Sequence, residues 1–125
     1  MSDVSPDLSV ELPRTPEAAR LARRAIERVE GLDGVLPDAR LLISELITNS
    51  VKYGGDGPVR LEVSTRRGKL RAEIIDQGAG FVPKRRNDDL DKVGGWGLHL
   101  VEQLTDRWGT FEGSTHVWFE IDLES

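Results

Sequence analysis

The sequence contains no cysteine, so neither a disulfide framework nor a thiolate metal site is available to it, and a reducing interior suits it. It has no apolar stretch of membrane-spanning length, and its first residues lack the basic and apolar regions of a signal peptide. It also lacks an excess of basic residues, because the formal net charge is −5 with both signs dispersed. These absences predict a cytoplasmic protein with no membrane contact and no direct nucleic-acid binding as its main role.

The chain also has no linker, internal repeat or low-complexity run, so residues 1–125 are expected to form a single domain. A domain of this length buries about two thirds of the surface of its unfolded chain around one core. Segments with helical and with strand periodicity alternate along the sequence, which predicts an α/β fold.

In the first half of the chain, the alternation over 8–12 predicts a short strand. Thr15 and Pro16 then fit the N-cap and first position of a helix that runs to about Glu30. A second helix is predicted to begin near Pro37. Its buried stripe is expected to comprise Ala39, Leu42, Ile43, Leu46, Ile47 and Ser50.

In the second half, four strands and one helix are predicted. They are strands over 59–66 and 69–76 joined through Gly68, a helix that starts near Gly95, and a final hairpin of residues 107–111 and 115–123. Since side chains alternate along a strand, Asp76 ends the inward face of its strand, and Thr115 is a second polar group on the apolar side of the sheet. The charged stretch 82–93 predicts a mobile loop.

Polar side chains at two places could meet in one cleft. Glu45 and Asn49 lie one helical turn apart and therefore point the same way, as a general base and a magnesium ligand need to, with Lys52 on the same border of the helix. Asp76 is an acid at a strand end, followed by a turn that Gly78 and the next glycine permit.

A glycine cluster follows, with the sequence Gly94-Gly95-Trp96-Gly97-Leu98, directly before an amphipathic stretch. The first amides of a helix have no partner within the helix, so a helix that starts here can receive phosphate. Together with the polar side chains above, the cluster predicts an ATP site.

Each feature alone has a simpler explanation. The acid and amide of the second helix could be a solvated helix edge, Asp-x-Gly-x-Gly is common turn chemistry, and the glycine cluster could be a flexible connection. The chain has no Gly-x-x-x-x-Gly-Lys phosphate loop, and Pro83 stands where a dinucleotide fingerprint requires a helix. The shared order and direction of the features favour one nucleotide site.

At these residues the chain resembles the GHKL (Bergerat-fold) ATPases. Residues 45–49 look like the N box of that superfamily, 76–80 like the G1 box and 94–98 like the G2 box, and the resemblance extends over 8–123. Within the superfamily the chain is most similar to the small bacterial anti-sigma-factor serine/threonine protein kinases. The resemblance implies an α/β two-layer sandwich in which helices cover one face of a mixed, mostly antiparallel sheet.

The resemblance also implies roles for single residues. Glu45 would be the catalytic base toward a serine or threonine hydroxyl, and Asn49 would ligate Mg²⁺. Asp76 would accept the exocyclic amine of adenine, with Gly80 allowing the ring close to the backbone and Thr115 helping through water.

The phosphates and the protein partners are assigned to other positions. Backbone amides of Gly95, Gly97 and Leu98 would receive the phosphates, and Arg20 lies where these kinases contact their protein partners. The remaining residues assigned to the nucleotide site are Lys52, Gly78, Phe81 and Trp96.

Three departures from the family pattern stand out. Tyr53 replaces a frequent histidine, Trp96 replaces a frequent arginine, and the loop 82–93 is short, which could loosen nucleotide retention. The chain also lacks a dimerisation helix pair with a phospho-acceptor histidine, which argues against a self-sufficient histidine kinase.

Two functions remain open at this point. In the first, the protein is a kinase and anti-sigma factor that transfers phosphate from ATP to an anti-anti-sigma (STAS-type) partner and sequesters a sigma factor. In the second, it is a nucleotide-dependent partner-switching module without kinase activity. A conformational ATPase is less favoured, because no transducer domain follows the site. The oligomeric state, a homodimer included, stays open.

Overall fold

The computed structural model describes residues 6–53, 57–76, 95–110 and 116–123. Its elements in chain order are β1 (Leu8–Leu12), α1 (Ala18–Ile26), α2 (Leu36–Tyr53), β2 (Val59–Arg66), β3 (Lys69–Asp76), α3 (Gly95–Leu104), β4 (Arg107–Thr110) and β5 (Val117–Asp122). The alternation of helices and strands predicted from periodicity is confirmed, and β1, β2 and β3 have the predicted bounds. None of these helices is long and apolar enough to cross a membrane.

The five strands form one open sheet in the order β1-β2-β3-β5-β4. The prediction was a mixed, mostly antiparallel sheet, and each of the four pairings among the described strands is antiparallel. The hairpin between β2 and β3 turns through Arg67 and Gly68, whose φ angles are 53° and 75°. Two consecutive positive φ angles match the tight turn whose twist suits a two-residue hairpin loop.

The molecule has two layers, because the buried face of the sheet packs against the helices and the opposite face is polar. The centre of the core contains fully buried residues from both layers, among them Phe119, Ile74, Leu61, Leu42 and Ile47. The opposite face of the sheet carries half-buried and exposed polar side chains, among them Arg60, Glu62, Arg71, Glu73 and Glu120. This confirms the predicted sandwich with helices on one face.

The bounds of α1 differ from the prediction. The helix begins at Ala18, not at Pro16, after a turn in which the amide of Ala18 donates to the carbonyl of Thr15 at 3.0 Å. It ends at Ile26, and the next residues form tighter turns with bonds to the third residue back, such as Val29 to Ile26 at 3.1 Å. The predicted side-chain cap at Thr15 is therefore wrong, because the backbone carbonyl of Thr15 accepts the bond from the first amide of the helix instead.

The second helix begins within one residue of the predicted start at Pro37, and each predicted stripe residue is buried. Ser50 is the polar member of that stripe. Its side chain is almost fully buried, and its hydroxyl oxygen has no hydrogen-bond partner among the residues that the structure describes. An apolar stripe that continues through one serine keeps α2 on the sheet, while the side chains at the edge of the stripe remain accessible.

The outer face of the sheet carries a chain of ion pairs. Glu120 accepts hydrogen bonds from Arg107 Nε at 2.7 Å and from Arg71 Nη1 at 3.2 Å. The hydrogen bond from Arg107, with a smaller contribution from Arg71, lowers the pKa of Glu120. The stability that this carboxylate contributes is therefore present above its ordinary pKa and is lost as the pH falls through the lowered pKa.

The indole of Trp118 lies on the same face between two neighbours. The guanidinium carbon of Arg71 is 4.4 Å from the ring centroid. On the other side Gly109 of β4 is directly opposite Trp118, and a Cβ atom at Gly109 would lie 2.8 Å from the indole nitrogen. Glycine at this position therefore lets the tryptophan cover the neighbouring strand.

We expect Gly109→Ala to lower the free energy of unfolding by about 1 to 2 kcal/mol, since the added methyl group must displace a packed indole. Urea unfolding followed by circular dichroism measures the effect. The matched control is Gly34→Ala, where a Cβ would meet no atom within 4 Å. That variant should be neutral or slightly stabilising, because it mainly restricts the unfolded chain. Equal stability of the two variants would contradict the packing explanation.

Candidate nucleotide site

Helix α2 presents the predicted acid and amide beside its buried stripe. Glu45 and Asn49 are both half-buried, and Lys52 near the end of the helix is exposed. The first two side chains start from neighbouring positions on one face, since residues four apart on a helix lie one above the other. Helix α1 supports this region, because Arg23 donates to the hydroxyl of Ser44 at 2.7 Å.

Asp76 ends β3 and is turned inward, as the strand alternation predicts. Its side chain is only 2% exposed, and its Oδ1 accepts a hydrogen bond from Arg14 Nη2 at 2.7 Å. Carboxylates this far from water are normally paired with a cation, and this one is.

Arg14 pairs with one of the predicted site residues, and sequence reasoning missed it. It lies in the segment between β1 and α1, where its guanidinium donates to Asp76, to the carbonyl of Ser50 and, at 2.8 Å from Nε, to the carbonyl of Gly57. The sequence held one indirect signal, since an inward carboxylate at a strand end needs a cation. With 17 lysines and arginines in the chain, that signal does not identify which one.

Helix α3 begins at Gly95, as the glycine cluster predicts, and packs beside α2. The amides of its first turn have no partner within the helix. They include those of Gly95, Gly97 and Leu98, which were assigned to the phosphates. The helix as a whole therefore lies next to the helix that carries Glu45 and Asn49.

Part of the predicted site lies outside the described residues. This applies to Gly78, Gly80, Phe81 and Thr115, and to the predicted loop 82–93. The side chains at Tyr53, Trp96 and Leu98 are likewise outside the described part, although their backbone is helical. Arg20 is described: it is exposed on α1 and lies 3.7 Å from Glu17.

The residues around α2 fit a weakly held Mg²⁺ ion better than a tightly held metal. Within the described residues no group of three or more His, Asp or Glu side chains could hold a metal. Mg²⁺ with a nucleotide typically takes one or two protein oxygens and completes its shell with phosphates and water. The amide of Asn49, with the half-buried carboxylate of Glu45 one turn earlier on the same helix, is a donor set of that kind.

Comparison with known families agrees with this geometry. Residues 10–121 match the family described as the histidine kinase-like ATPase domain, and the chain belongs to that family. The match includes α1, α2, α3 and the whole sheet except the ends of β1 and β5.

The names of individual relatives specify a serine-protein kinase activity, which the family description does not. The chain is 27% identical to the serine-protein kinase RsbW of Listeria monocytogenes serotype 4a, over 85% of this chain and 80% of the relative. It is 28% identical to the serine-protein kinase RsbW of Bacillus velezensis, over 79% of this chain and 74% of the relative. The corresponding protein of Staphylococcus aureus is 26% identical over 79% of this chain and 75% of its own length.

Proposed function

We propose that this chain is an ATP-dependent serine/threonine protein kinase of the GHKL type that also acts as an anti-sigma factor. It would phosphorylate an anti-anti-sigma (STAS-type) partner and, in another binding state, sequester a sigma factor. The proposed kinase activity is supported by the half-buried Glu45, which lies one helical turn from Asn49. It is also supported by relatives that are named serine-protein kinases. The anti-sigma half rests on the resemblance to the small bacterial kinases of that type.

The proposed reaction moves the γ-phosphoryl group of ATP to a serine or threonine hydroxyl of the partner. The hydroxyl oxygen bonds to the γ-phosphorus while the bond from that phosphorus to the oxygen of ADP breaks. Glu45 accepts the hydroxyl proton as general base. This role needs a carboxylate held on a rigid element, and the half-buried Glu45 of α2 is suited to it.

Other residues of the chain would hold the nucleotide. Asn49 would hold Mg²⁺, which when bound neutralises charge on the phosphate oxygens. Asp76 would accept the exocyclic amine of adenine, and the first amides of α3 would contact the phosphates. The proposed site is completed by Lys52, Gly78, Gly80, Phe81, Trp96 and Thr115. ATP as substrate and the absence of cysteine both suit the cytoplasm.

The second candidate, a partner-switching module without kinase activity, is less favoured. The relatives are named as kinases, and the chain has a carboxylate at the position where the base is needed. A module that only binds nucleotide would not require that carboxylate.

The proposal is tested by recovering the protein from its native cells with and without added Mg-ATP and identifying the proteins that stay with it. The recovered partners are then incubated with the purified chain and γ-labelled ATP. We expect label on a serine or threonine of one small partner and nucleotide-dependent retention of a sigma factor. Partner exchange without label would favour the second candidate, and failure to bind any nucleotide would reject both.

We expect Arg20→Glu to weaken partner capture by more than tenfold, because the side chain is exposed on α1 and the change reverses its charge. Nucleotide affinity should hardly change. The matched control is Arg66→Glu, the same charge reversal at the exposed end of β2. Pull-downs with the recovered partners and calorimetry with ATP measure the two effects. Equal capture by wild type and Arg20→Glu would remove Arg20 from the partner surface.

A further inference from the structure

Arg14 contacts three segments that lie at least 36 residues after it in the sequence. Its guanidinium donates to the Asp76 carboxylate at the end of β3, to the Ser50 carbonyl in α2 and to the Gly57 carbonyl before β2. Two of these segments carry proposed site residues: the end of β3 carries Asp76, proposed to contact adenine, and α2 carries Asn49, proposed to hold Mg²⁺. We call this set of three contacts the Arg14 clasp.

The contact with Asp76 is a nearly buried ion pair. The side chain of Arg14 is 16% exposed and that of Asp76 is 2% exposed, with 2.7 Å between Nη2 and Oδ1. A charge-assisted hydrogen bond of this length fixes the direction of the carboxylate as well as its position. The acceptor proposed for adenine is therefore oriented by a residue from a different part of the chain.

The contact with Ser50 secures the end of α2. Ser50 lies in the last turn of the helix, where carbonyl groups have no amide partner within the helix. A guanidinium can satisfy such a carbonyl and also lies favourably at the negative end of the helix dipole. Arginine suits this position better than lysine, because its three contacts come from three different nitrogens, Nε, Nη1 and Nη2, whereas the donors of lysine all lie on one nitrogen.

We propose that Arg14 is a positioning residue for adenine recognition, acting through Asp76. This inference rests on the proposed function, in which Asp76 accepts the exocyclic amine of the base. The clasp sets the direction of the carboxylate against the end of α2, so that the acceptor meets the amine when the nucleotide enters. Loss of Arg14 should therefore erase discrimination between bases, whereas a residue that only stabilises the fold would weaken the binding of all nucleotides alike.

The test compares ATP with purine riboside triphosphate, which lacks the exocyclic amine but keeps the ribose and phosphates. Calorimetry gives the ratio of their affinities for each folded variant. We expect wild type to prefer ATP by about tenfold to a hundredfold, the value of one well-placed hydrogen bond to a charged group. In Arg14→Met the preference should fall below about threefold.

Two further variants keep the test decisive. If circular dichroism shows that Arg14→Met is unfolded, Arg14→Lys keeps the charge but not the fork, and its preference should be at least threefold below that of wild type. The double variant Arg14→Met with Asp76→Asn should have the same preference for ATP over purine riboside triphosphate as Asp76→Asn alone. Both changes remove the same interaction, so the second should cause no further loss. Independent, additive losses would overturn the inference.

Arg23→Met is the matched control. Arg23 is another partly buried arginine that ties its segment to α2, through Ser44 at 2.7 Å, and it is not part of the clasp. Its preference for ATP should equal that of wild type. If a folded Arg14 variant keeps the full preference for ATP, the role of Arg14 is rejected but the proposed role of Asp76 is not. A wild type that binds both triphosphates equally would reject the proposed role of Asp76, and the inference with it.

Discussion

Replacing Glu45 by glutamine is expected to lower phosphate transfer by about 10² to 10⁴-fold and to leave nucleotide affinity nearly unchanged. Glutamine keeps the shape of the side chain but cannot accept the hydroxyl proton. The position is half-buried on a rigid helix, so the substitution should disturb neither the core nor the proposed contacts to adenine and phosphate. Transfer is measured with γ-labelled ATP and the phosphorylated partner, and affinity is measured by calorimetry.

Glu62→Gln serves as the control for this experiment. Glu62 also carries a partly exposed carboxylate, but it lies on the polar face of the sheet, 3.5 Å from Arg60. Its loss should leave transfer unchanged. If Glu45→Gln labels the partner as fast as wild type, Glu45 is not the base, and a different group must receive the proton.

Replacing Asp76 by alanine is expected to have two separate large effects. The free energy of unfolding should fall by about 3 kcal/mol, because Arg14 is left nearly buried without its counter-charge. ATP affinity should fall by about 1 to 3 kcal/mol, because the proposed acceptor for the adenine amine is lost. Urea unfolding without nucleotide gives the first quantity, and calorimetry on the folded fraction gives the second.

Asp122→Ala is the matched control, which shows how much stability is lost when an exposed aspartate at a strand end is removed. Asp122 ends β5 as Asp76 ends β3, and it too pairs with an arginine, 2.6 Å from Arg107. Its side chain is 56% exposed, so solvent already screens the pair and the loss of stability should be much smaller. Similar destabilisation by the two variants would show that burial of the Arg14 pair is not what makes Asp76 important for the fold.

The elements with strong periodicity could be predicted from the sequence. The apolar stripe of α2 and the alternation in β3 are local patterns. The predicted stripe residues are buried, and so are Leu70, Ala72 and Ile74 on the strand face that Asp76 ends. Asp76 was predicted correctly as the inward end of β3 for the same reason, since alternation with period two leaves no choice of face.

Features that depend on distant contacts could not be predicted. The start of α1 was misplaced, because a backbone turn at Thr15 replaces the side-chain cap that the sequence favours. The partner of Asp76 was not foreseen either, since Arg14 is 62 residues away and nothing local distinguishes it from other cations. Such pairings depend on which strands and helices become neighbours in the fold, and the periodicity of a segment does not predict its neighbours.

The Arg14 clasp changes where the functional unit of this chain begins. The three motifs that resemble the ATPase family extend from Glu45 to Leu98, and a segment selected on those motifs alone would start with α2. Such a fragment would keep every motif residue but leave Asp76 buried without its cation and the last turn of α2 without a donor. Anyone who transplants this site into another protein must therefore carry over one arginine from upstream of all three motifs.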